Sequence, residues 1–493
     1  MLPKHLAPVL LMLCHVLPAQ KKPVQEITRL VTRDEVEAHL QFLAADEMRG
    51  RDTGSPEIDI AANYLATEFK KFGLKKPEVL QSYFQPVNLV NRYPATSGKL
   101  TIGQEEFLYK EHFIQLEGGN FSWSGDVVFA GYASDEELQK LDVRGKMVVA
   151  LAGNKDSEGN PMAVFMAAGD KRNRIVAAGA AGLIELFTLP QIPWPVLVNY
   201  FATNTTMTLG ADEDKAVHLW LRNADAGSVK KLKETASLPG TLLVEGVKAI
   251  PVSAKNVVGI LEGADPKLKN QYLIVSAHYD HVGVSKRPNQ EDSIFNGARD
   301  NAIGVTGLLA TARYLSFYKP KRSVLFIAFT AEEKGLLGSR FYAQHPVVPL
   351  KQCIFNFNCD GAGYNNTGIA TIIGMERTTA ENDLAKACAA FGLQAAVDPV
   401  PQQNLFERSD NLNFAVKGIP AITFAPGLTD FDAAINKYYH QPADEVNSLD
   451  FDYLIKYFRA YVYANVLLAN APVAPVWKPG DKFEAAAKKL YGE

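Results

Sequence analysis

Residues 271–280 read QYLIVSAHYD, and residues 323–333 read SVLFIAFTAEE. Each stretch contains an apolar run of the length of a buried strand, and each run is followed by side chains that can bind metals or transfer protons. A helical pattern over Val305–Leu315 separates the two runs. Strands that alternate with helices are typical of a mostly parallel sheet with helices on both faces. These stretches therefore predict an α/β fold for this part of the chain.

The alternation extends on both sides of these runs. Further strands are predicted at Val257–Leu261, Cys353–Phe357 and Ala421–Phe424, and further helices at Leu336–Tyr342, near Leu384–Ala390 and at Tyr453–Leu468. Near the amino terminus, Thr32 and Glu35 have the spacing of a capping box, which predicts a helix that begins there. Ser55-Pro56 predicts the start of a second helix, which ends at Gly73.

The stretch from about Val90 to Val247 has a different texture. Strands are predicted at Asp126–Ala130, Lys146–Leu151 and Leu183–Leu186, and a helix is predicted at Arg174–Ala181. The sequence of this stretch contains no cluster of catalytic or metal-binding residue types. It is therefore predicted to be a self-contained, β-rich domain inserted into the α/β fold.

Composition and charge exclude several classes of protein. The chain has 493 residues, of which 47% are hydrophobic and 21% charged, so it has the length of two domains and the composition of a folded globular protein. The formal net charge of −3 and the lack of a polybasic run give no basis for nucleic-acid binding. No apolar run approaches the roughly 20 residues that a transmembrane helix needs.

The amino terminus has the pattern of a secretory signal peptide. Lys4 precedes an apolar run over Leu6–Val16, and Pro18-Ala19 follows it. This pattern predicts cleavage near Ala19 and export to the periplasm or the medium. Lipid attachment at Cys14 is disfavoured, because Leu13 stands where a lipoprotein signal has a small residue.

Metal-binding residue types cluster at the ends of the predicted strands. In an open parallel sheet, ligands bind at the carboxyl ends of the strands, so side chains distant in sequence can converge there. Each of these residues alone is weak evidence, but together they form the mixed nitrogen and oxygen shell expected for two zinc ions. They follow three strands, lie in the loop before the 305–315 helix, or precede the last helix: His278, Asp280, Glu332, Glu333, Asp360, Asp300 and His440.

Five short motifs carry a resemblance to a known family. They are SAHYDHVG at 276–283, GARDNA at 297–302, TAEEKG at 330–335, NCD at 358–360 and YHQPAD at 439–444. In residue type and order they resemble the co-catalytic zinc aminopeptidases, which include Vibrio-type leucyl aminopeptidase and aminopeptidase Y. More distant members are glutamate carboxypeptidase II and the catalytically silent transferrin receptor.

The inserted stretch resembles a protease-associated domain at DVRGK, residues 142–146, and GAAG, residues 179–182. The resemblance therefore implies a peptidase domain interrupted by an insert. The implied boundaries are a signal peptide at 1–19, amino-terminal helices of the peptidase domain at 20–90, the insert at 91–247, the catalytic domain at 248–475 and a tail at 476–493.

The resemblance implies a metalloaminopeptidase that removes N-terminal residues from peptide substrates with two zinc ions. Asp300 and a water or hydroxide would bridge the two ions. His278 and Asp360 match the other ligands of one ion, and Glu333 and His440 match those of the second. Glu332 matches the general base, which is not a ligand.

Further roles follow from the same resemblance. Asp280 and Asp444 would each accept the free N–H of a ligand histidine. A cis peptide bond is expected between Asp300 and Asn301, and His281 is predicted to be structural. The substrate cleft is predicted to involve Arg408, Ser409, Asp410, Tyr438 and Tyr439.

Cys359 stands beside the ligand Asp360, where relatives commonly have an aliphatic residue. Because side chains alternate between the two faces of a strand, the Cys359 thiol should point away from the metal site. We therefore reject Cys359 as a ligand. After removal of the signal peptide, Cys353, Cys359 and Cys388 remain, and they do not form a disulfide framework.

Other activities within the family stay open. A dipeptidase or carboxypeptidase needs cations for the substrate carboxylate, and Arg299 and Arg408 are candidates. An aminopeptidase needs acids or carbonyls that face the free amine, for which the candidates are Glu407, Asp430 and Asp432. A non-catalytic, receptor-like descendant would have lost ligands, whereas here every ligand position matches the family.

Overall fold

The computed structural model describes residues 23–492 except residues 156, 158–160, 211–215, 223–224 and 286–290. The predicted signal peptide and Cys14 lie outside the described residues. The chain divides into two compact units, one formed by the residues through Phe84, Val257–Phe329 and Tyr342 onward, the other by Gln85–Asn256 and Thr330–Phe341. Across the described ranges, none of the helices combines the length and apolarity needed to cross a membrane.

The helices are α1 Pro23–Leu30, α2 Arg33–Leu43, α3 Pro56–Lys71, α4 Asp135–Leu138, α5 Pro161–Ala177, α6 Trp194–Ala202, α7 Gly227–Glu234, α8 Ile303–Phe317, α9 Leu337–Gln344, α10 Glu381–Ala389, α11 Asn411–Ala415, α12 Ala433–Asn436, α13 Phe451–Asn470 and α14 Glu484–Tyr491. The strands are β1 Phe84–Pro86, β2 Leu89–Tyr93, β3 Ser97–Ile102, β4 Glu105–Leu108, β5 Phe113–Glu117, β6 Phe121–Phe129, β7 Met147–Leu151, β8 Gly182–Leu186, β9 Thr206–Leu209, β10 Val217–Leu221, β11 Leu238–Glu245, β12 Lys248–Val252, β13 Lys255–Leu261, β14 Tyr272–His278, β15 Gly283–Val284, β16 Ile294–Phe295, β17 Ser323–Phe329, β18 Cys353–Cys359, β19 Ile369–Ile373, β20 Gln394–Ala396 and β21 Ala421–Pro426.

The first unit is built on a mixed sheet whose strands run in the order β1-β13-β17-β14-β18-β21-β19-β20. The central strand β14 pairs in parallel with β17 and with β18, whereas β13 pairs with β17 in antiparallel orientation. Alternate residues of β14 enter different cores: Leu273 and Val275 belong to one apolar cluster, and Ile274 belongs to another. Both faces of the strand are therefore covered, as its continuous apolar sequence predicts. The predicted mixed α/β fold is confirmed.

The second unit contains an eight-stranded sheet in the order β4-β3-β11-β6-β7-β8-β10-β5 and a three-stranded sheet in the order β12-β2-β9. Its core encloses a polar network around Glu185, whose side chain is fully buried. Lys171 Nζ donates to Glu185 at 2.6 Å, and Trp220 Nε1 donates to it at 2.9 Å. Because all of these groups have partners, the burial of two charges is compatible with a stable core.

The two amino-terminal helices were predicted at the correct places, but one cap was wrong. Ser55 Oγ accepts a hydrogen bond from the Ile58 N–H at 3.3 Å and caps α3, as expected. Thr32 precedes α2 without a side-chain cap bond. Glu35, the other half of the predicted capping box, instead forms an ion pair with Arg313. Here a tertiary partner replaces the local one.

The helix predicted at Arg174–Ala181 has different bounds. Helix α5 begins at Pro161 and ends at Ala177, and a turn leads from there into β8. Gly179 lies in this turn with φ of +82°, a conformation that ends a helix at low steric cost. The earlier half was not predicted because Gly169 interrupts its helical pattern.

Candidate metal centre

Several of the predicted site residues lie at or just after the carboxyl ends of three neighbouring strands. His278 is the last residue of β14 and is 1% exposed. It pairs with Phe329, the last residue of β17, and Glu332 follows three positions later in the chain. Asp360 follows the last residue of β18, the other neighbour of β14. Because these parallel strands end at the same edge, residues distant in sequence are brought together, as predicted.

Asp300 lies between two histidines that come from different parts of the fold. Its Oδ1 is 3.3 Å from Nε2 of His278, and its Oδ2 is 3.1 Å from Nε2 of His440. The loop that carries Asp300 leads into α8, and the Asp300–Asn301 peptide bond is cis, as expected. Each carboxylate oxygen of Asp300 therefore faces a different potential nitrogen ligand.

The groups around the His278 ring are arranged as in a site for a positive ion. Nδ1 lies 3.1 Å from the backbone carbonyl oxygen of Asp280, and that acceptor favours a proton on Nδ1. In the neutral ring the lone pair is then on Nε2, which also lies 3.2 Å from Oδ1 of Asp360. An imidazole nitrogen between two carboxylates is favourable only when a positive charge lies on it or among the three groups, supplied either by a proton on Nε2 or by a metal ion. This donor set fits a metal ion such as zinc.

Four of the five predicted ligands lie at this edge of the first unit: His278, Asp300, Asp360 and His440. In the described part of the chain, two groups of side chains have ligand atoms within 4.8 Å of one another. Within the first unit, one group includes His281, Asp300 and His440, and the other includes His278 and Asp360. Glu332 and Glu333 follow β17 in the chain and belong to the second unit.

His281 was predicted to be structural, yet it lies among these groups. Its Nδ1 is 4.0 Å from Oδ2 of Asp300, and its ring lies edge-on to that of His440 with centroids 5.5 Å apart. The sequence signal that could have drawn attention to it is its position directly after the His278-x-Asp280 motif.

Burial and hydrogen bonding set the charge of the acids. Burial by itself would raise the pKa of Asp300, but hydrogen bonds with His278 and His440 and the charge of His281 hold that pKa well below its usual value. Burial raises the pKa of Asp444, although the charge and hydrogen bonds of Arg299 oppose the shift. Asp300 is thus held as a carboxylate, the form that binds metal.

Asp444 contacts the loop that leads to Asp300. Its carboxylate accepts hydrogen bonds from the backbone N–H of Arg299 at 2.9 Å and of Asp300 at 3.2 Å. The Arg299 guanidinium also donates to Asp444, at 3.1 Å. These contacts orient the backbone of Asp300, and the role toward a ligand histidine stays a prediction. For Asp280, Oδ1 lies 3.7 Å from Nδ1 of His278, on the side where that role was expected.

The residues predicted for the substrate cleft have diverse environments. Ser409 Oγ donates to Oδ2 of Asp360 at 2.5 Å and itself accepts from Asn358 at 2.8 Å. Tyr439 stacks on His440 with ring centroids 4.2 Å apart, and Arg408 donates to the Tyr439 hydroxyl at 3.3 Å.

Two of the cleft candidates are not simply surface groups. The Tyr438 ring lies under the guanidinium of Arg299, 3.7 Å from its central carbon, and Asp410 is fully buried. Sequence reasoning did not predict the contact between Ser409 and Asp360, because the two residues belong to separate loops.

The thiol of Cys359 points away from the site, as strand alternation predicts. Its Sγ is 3.3 Å from the hydroxyl of Tyr457, and burial raises the pKa of the thiol to about 12. A protonated, buried thiol on the opposite face of β18 is not a metal ligand.

Comparison with known proteins gives a consistent result. Residues 256–464 match the model of Peptidase family M28. The chain is 24% identical to a probable leucine aminopeptidase 2 of Aspergillus oryzae over 468 residues, which cover 87% of this chain and 82% of that protein. It is 28% identical to Aminopeptidase YwaD of Bacillus subtilis over 209 residues, 40% of this chain and 41% of that protein.

A solved structure shares the fold. The aminopeptidase from Aneurinibacillus sp. strain AM-1 superposes with a TM-score of 0.52 and 23% sequence identity, covering 93% of this chain and 98% of the other. At 23% identity, this likeness shows a shared arrangement of helices and strands and not a shared chemistry.

Proposed function

We propose that this chain is a zinc-dependent aminopeptidase acting on peptides, on the strength of the match of residues 256–464 to the model of Peptidase family M28 and of the geometry of the site. The residues proposed to hold one zinc ion are His278 and Asp360, and those proposed for the second are Glu333 and His440. Asp300 is proposed to bridge the two.

The observation that carries this proposal is the placement of Asp300 between His278 and His440. Its two oxygens face the two imidazole nitrogens at 3.3 Å and 3.1 Å, in a pocket where Asp300 is 5% exposed. A buried carboxylate between two histidines is suited to share its oxygens between two cations.

When bound, two zinc ions supply Lewis acidity toward water and toward the scissile carbonyl. Glu332 is proposed as the general base. One of its carboxylate oxygens takes a proton from the attacking water and passes it to the nitrogen of the leaving amine. Ser409 and the backbone carbonyl of Asp280 hold Asp360 and His278 in their orientations.

One observation favours an aminopeptidase over a carboxypeptidase or dipeptidase. Arg299, a candidate cation for a substrate carboxylate, is 3% exposed and donates to Asp444 and Ser448. Its guanidinium is therefore engaged within the protein. Arg408 is exposed and is the remaining candidate of the two.

The acidic residues proposed to bind the substrate amine differ in the contacts that they make within the protein. Glu407 forms an ion pair with Lys482, and Asp432 accepts two backbone N–H groups at the start of α12. Asp430 is exposed and is our preferred candidate. We also propose that the protein is exported to the periplasm or the medium, because residues 1–19 have the pattern of a signal peptide.

The test combines metal analysis with a substrate panel. Elemental analysis of the purified mature protein should find close to two zinc ions per chain, and a chelator should abolish activity that zinc restores. Aminoacyl fluorogenic substrates should be cleaved, whereas their N-acetylated forms should not. A single tightly held metal with full activity, or equal cleavage of blocked and free substrates, would overturn the proposal.

A further inference from the structure

Arg51 is a fully buried arginine next to the metal centre. It lies in the turn Asp46–Arg51 between α2 and α3, and its side chain is among the largest with less than 2% exposure. Burial of a guanidinium is costly unless its N–H groups have acceptors. The contacts that compensate this burial identify what the side chain holds in place.

The guanidinium donates to backbone carbonyls of three separate segments. Nε donates to Tyr279 at 2.9 Å, Nη1 donates to Leu43 at 2.5 Å and to Asn296 at 2.6 Å, and Nη2 donates to Gly297 at 3.0 Å. The first carbonyl lies between His278 and Asp280. The last two begin the loop that carries Asp300.

The backbone around Arg51 adds two bonds to the same region. The carbonyl oxygen of Arg51 accepts the N–H of His281 at 3.3 Å. Thr53, two positions later, donates from Oγ1 to Oδ2 of Asp280 at 3.3 Å. The turn therefore contacts the segment after β14 from both its backbone and its side chains.

We propose that Arg51 is a positioning residue for the metal centre, and this inference rests on the zinc site proposed above. Its planar fork ties the segment 278–281 to the loop 296–300. The tie sets the separation of His278 and Asp300 before any metal binds. Arg51 touches neither metal nor substrate in this scheme, and it acts through the backbone of the residues that do.

Lysine cannot replace this geometry. An arginine presents five N–H donors in a rigid plane, and here at least four of them reach carbonyls that lie in different directions. A lysine ammonium has three donors at a single point, so it can hold one segment but not all of them. Arg51→Lys therefore keeps the positive charge and removes the tie.

Geometry and charge predict opposite effects on zinc binding. If Arg51 acted only as a nearby cation, its removal would strengthen the attraction of the acidic site for zinc. If it positions the ligand loops, its loss weakens zinc binding, because the metal must then order the loops itself. The sign of the change in affinity separates the two.

Arg322 provides a matched control. It is 2% exposed and also donates to a backbone carbonyl, that of Ala471 at 2.5 Å, and to Gln271 at 2.8 Å. It directly precedes β17, at the end of that strand opposite to Phe329. Arg322→Lys thus removes contacts of a buried arginine that is in the same unit but lies away from the ligands.

The experiment measures zinc affinity by chelator competition in the full mature chain, for the wild type, Arg51→Lys, Arg51→Met and Arg322→Lys. Arg51→Lys and Arg51→Met should both bind zinc about 10- to 100-fold more weakly, the scale of losing a group that orients ligands. Arg322→Lys should stay within about twofold of the wild type at a comparable melting temperature. With zinc saturating, Arg51→Lys should lose kcat with little change in KM.

Equal affinities in Arg51→Lys and Arg322→Lys, or tighter binding in Arg51→Met, would overturn the inference. A wild type that binds no zinc would instead overturn the proposed function. Should the Arg51 variants not fold, hydrogen exchange of the wild type decides: the N–H of His281 should remain protected after zinc is removed. That amide donates to the carbonyl oxygen of Arg51, so its rapid exchange in the zinc-free protein would show that the turn at Arg51 does not hold the segment 278–281 without metal and would overturn the inference.

Discussion

Nε2 of His440 lies 3.1 Å from Oδ2 of Asp300, although one residue precedes the last long helix and the other precedes α8. His440 adopts φ of +51°, in the left-handed region that residues with a Cβ seldom occupy. The backbone of His440 therefore has a conformation that local preference disfavours. Such conformations persist where the surrounding structure imposes them and often occur at functional sites.

Replacement of Asp300 by asparagine tests the bridging role. The amide retains one carbonyl oxygen and replaces the other with an NH₂ group, which cannot bind a cation. We expect Asp300→Asn to fold but to retain fewer than two zinc ions, with activity reduced by more than about 100-fold. Elemental analysis with circular dichroism checks this. Two tightly bound zinc ions in Asp300→Asn would contradict the bridging assignment.

The adjacent glutamates should separate by role. Glu332→Gln should keep both metals and lower turnover by about 10²-fold or more, because it removes only the proton acceptor. Glu333→Gln should lose affinity for one metal, since it removes a ligand oxygen. Each variant is the control for the other, measured by zinc content and single-turnover kinetics. Equal metal loss in both would show that the roles are misassigned.

Cys359 should be dispensable for metal binding despite its position beside Asp360. Cys359→Ala removes the contact with the Tyr457 hydroxyl and leaves a small cavity, so we expect a stability loss of about 1 kcal/mol. Zinc content should be unchanged, and the folded wild type should resist thiol alkylation because the Cys359 thiol is buried and protonated. A variant that lost one zinc would restore Cys359 as a candidate ligand.

His39 makes the stability of the first unit sensitive to acid. It is 6% exposed and Nδ1 lies 2.6 Å from the Tyr64 hydroxyl. Burial, followed by the charges of Lys71 and Arg313, lowers the pKa of His39 to about 4. Since the folded-state pKa is below the ordinary value of 6.5, His39 contributes stability above pH 6.5 that is lost as the pH falls toward 4.

Comparison of the wild type with His39→Gln measures this contribution. Between pH 7 and pH 4 the free energy of unfolding of the wild type should fall by up to roughly 3 kcal/mol more than that of His39→Gln. Burial raises the pKa of Glu35 to about 7, and this group titrates in the opposite sense in both proteins. Urea unfolding at each pH provides the measurement, and parallel pH profiles would refute the role of His39.

Much of the first unit was predictable because its signals are local. The continuous apolar runs of β14, β17 and β18 and the helical pattern of α8 appear within a few residues of the predicted bounds. The last two strands at one end of the sheet, β19 and β20, were not predicted, since they are short and their pairing depends on partners elsewhere in the sheet. The capping box at Thr32 failed for a related reason: Glu35 reaches Arg313, a partner on α8 that no local pattern reveals.

By itself, the sequence determined which residue types stand at the ends of which strands. His278, Asp300, Glu333, Asp360 and His440 lie in local motifs, and strand alternation alone was enough to turn Cys359 away from the site. The tertiary structure decided which atoms meet, including the bond from Ser409 to Asp360, the approach of His281 and the tie made by Arg51. The contacts of Arg51 are made with backbone carbonyls, which every residue possesses. Such contacts leave no trace in the identity of their partners, so only the folded chain shows them.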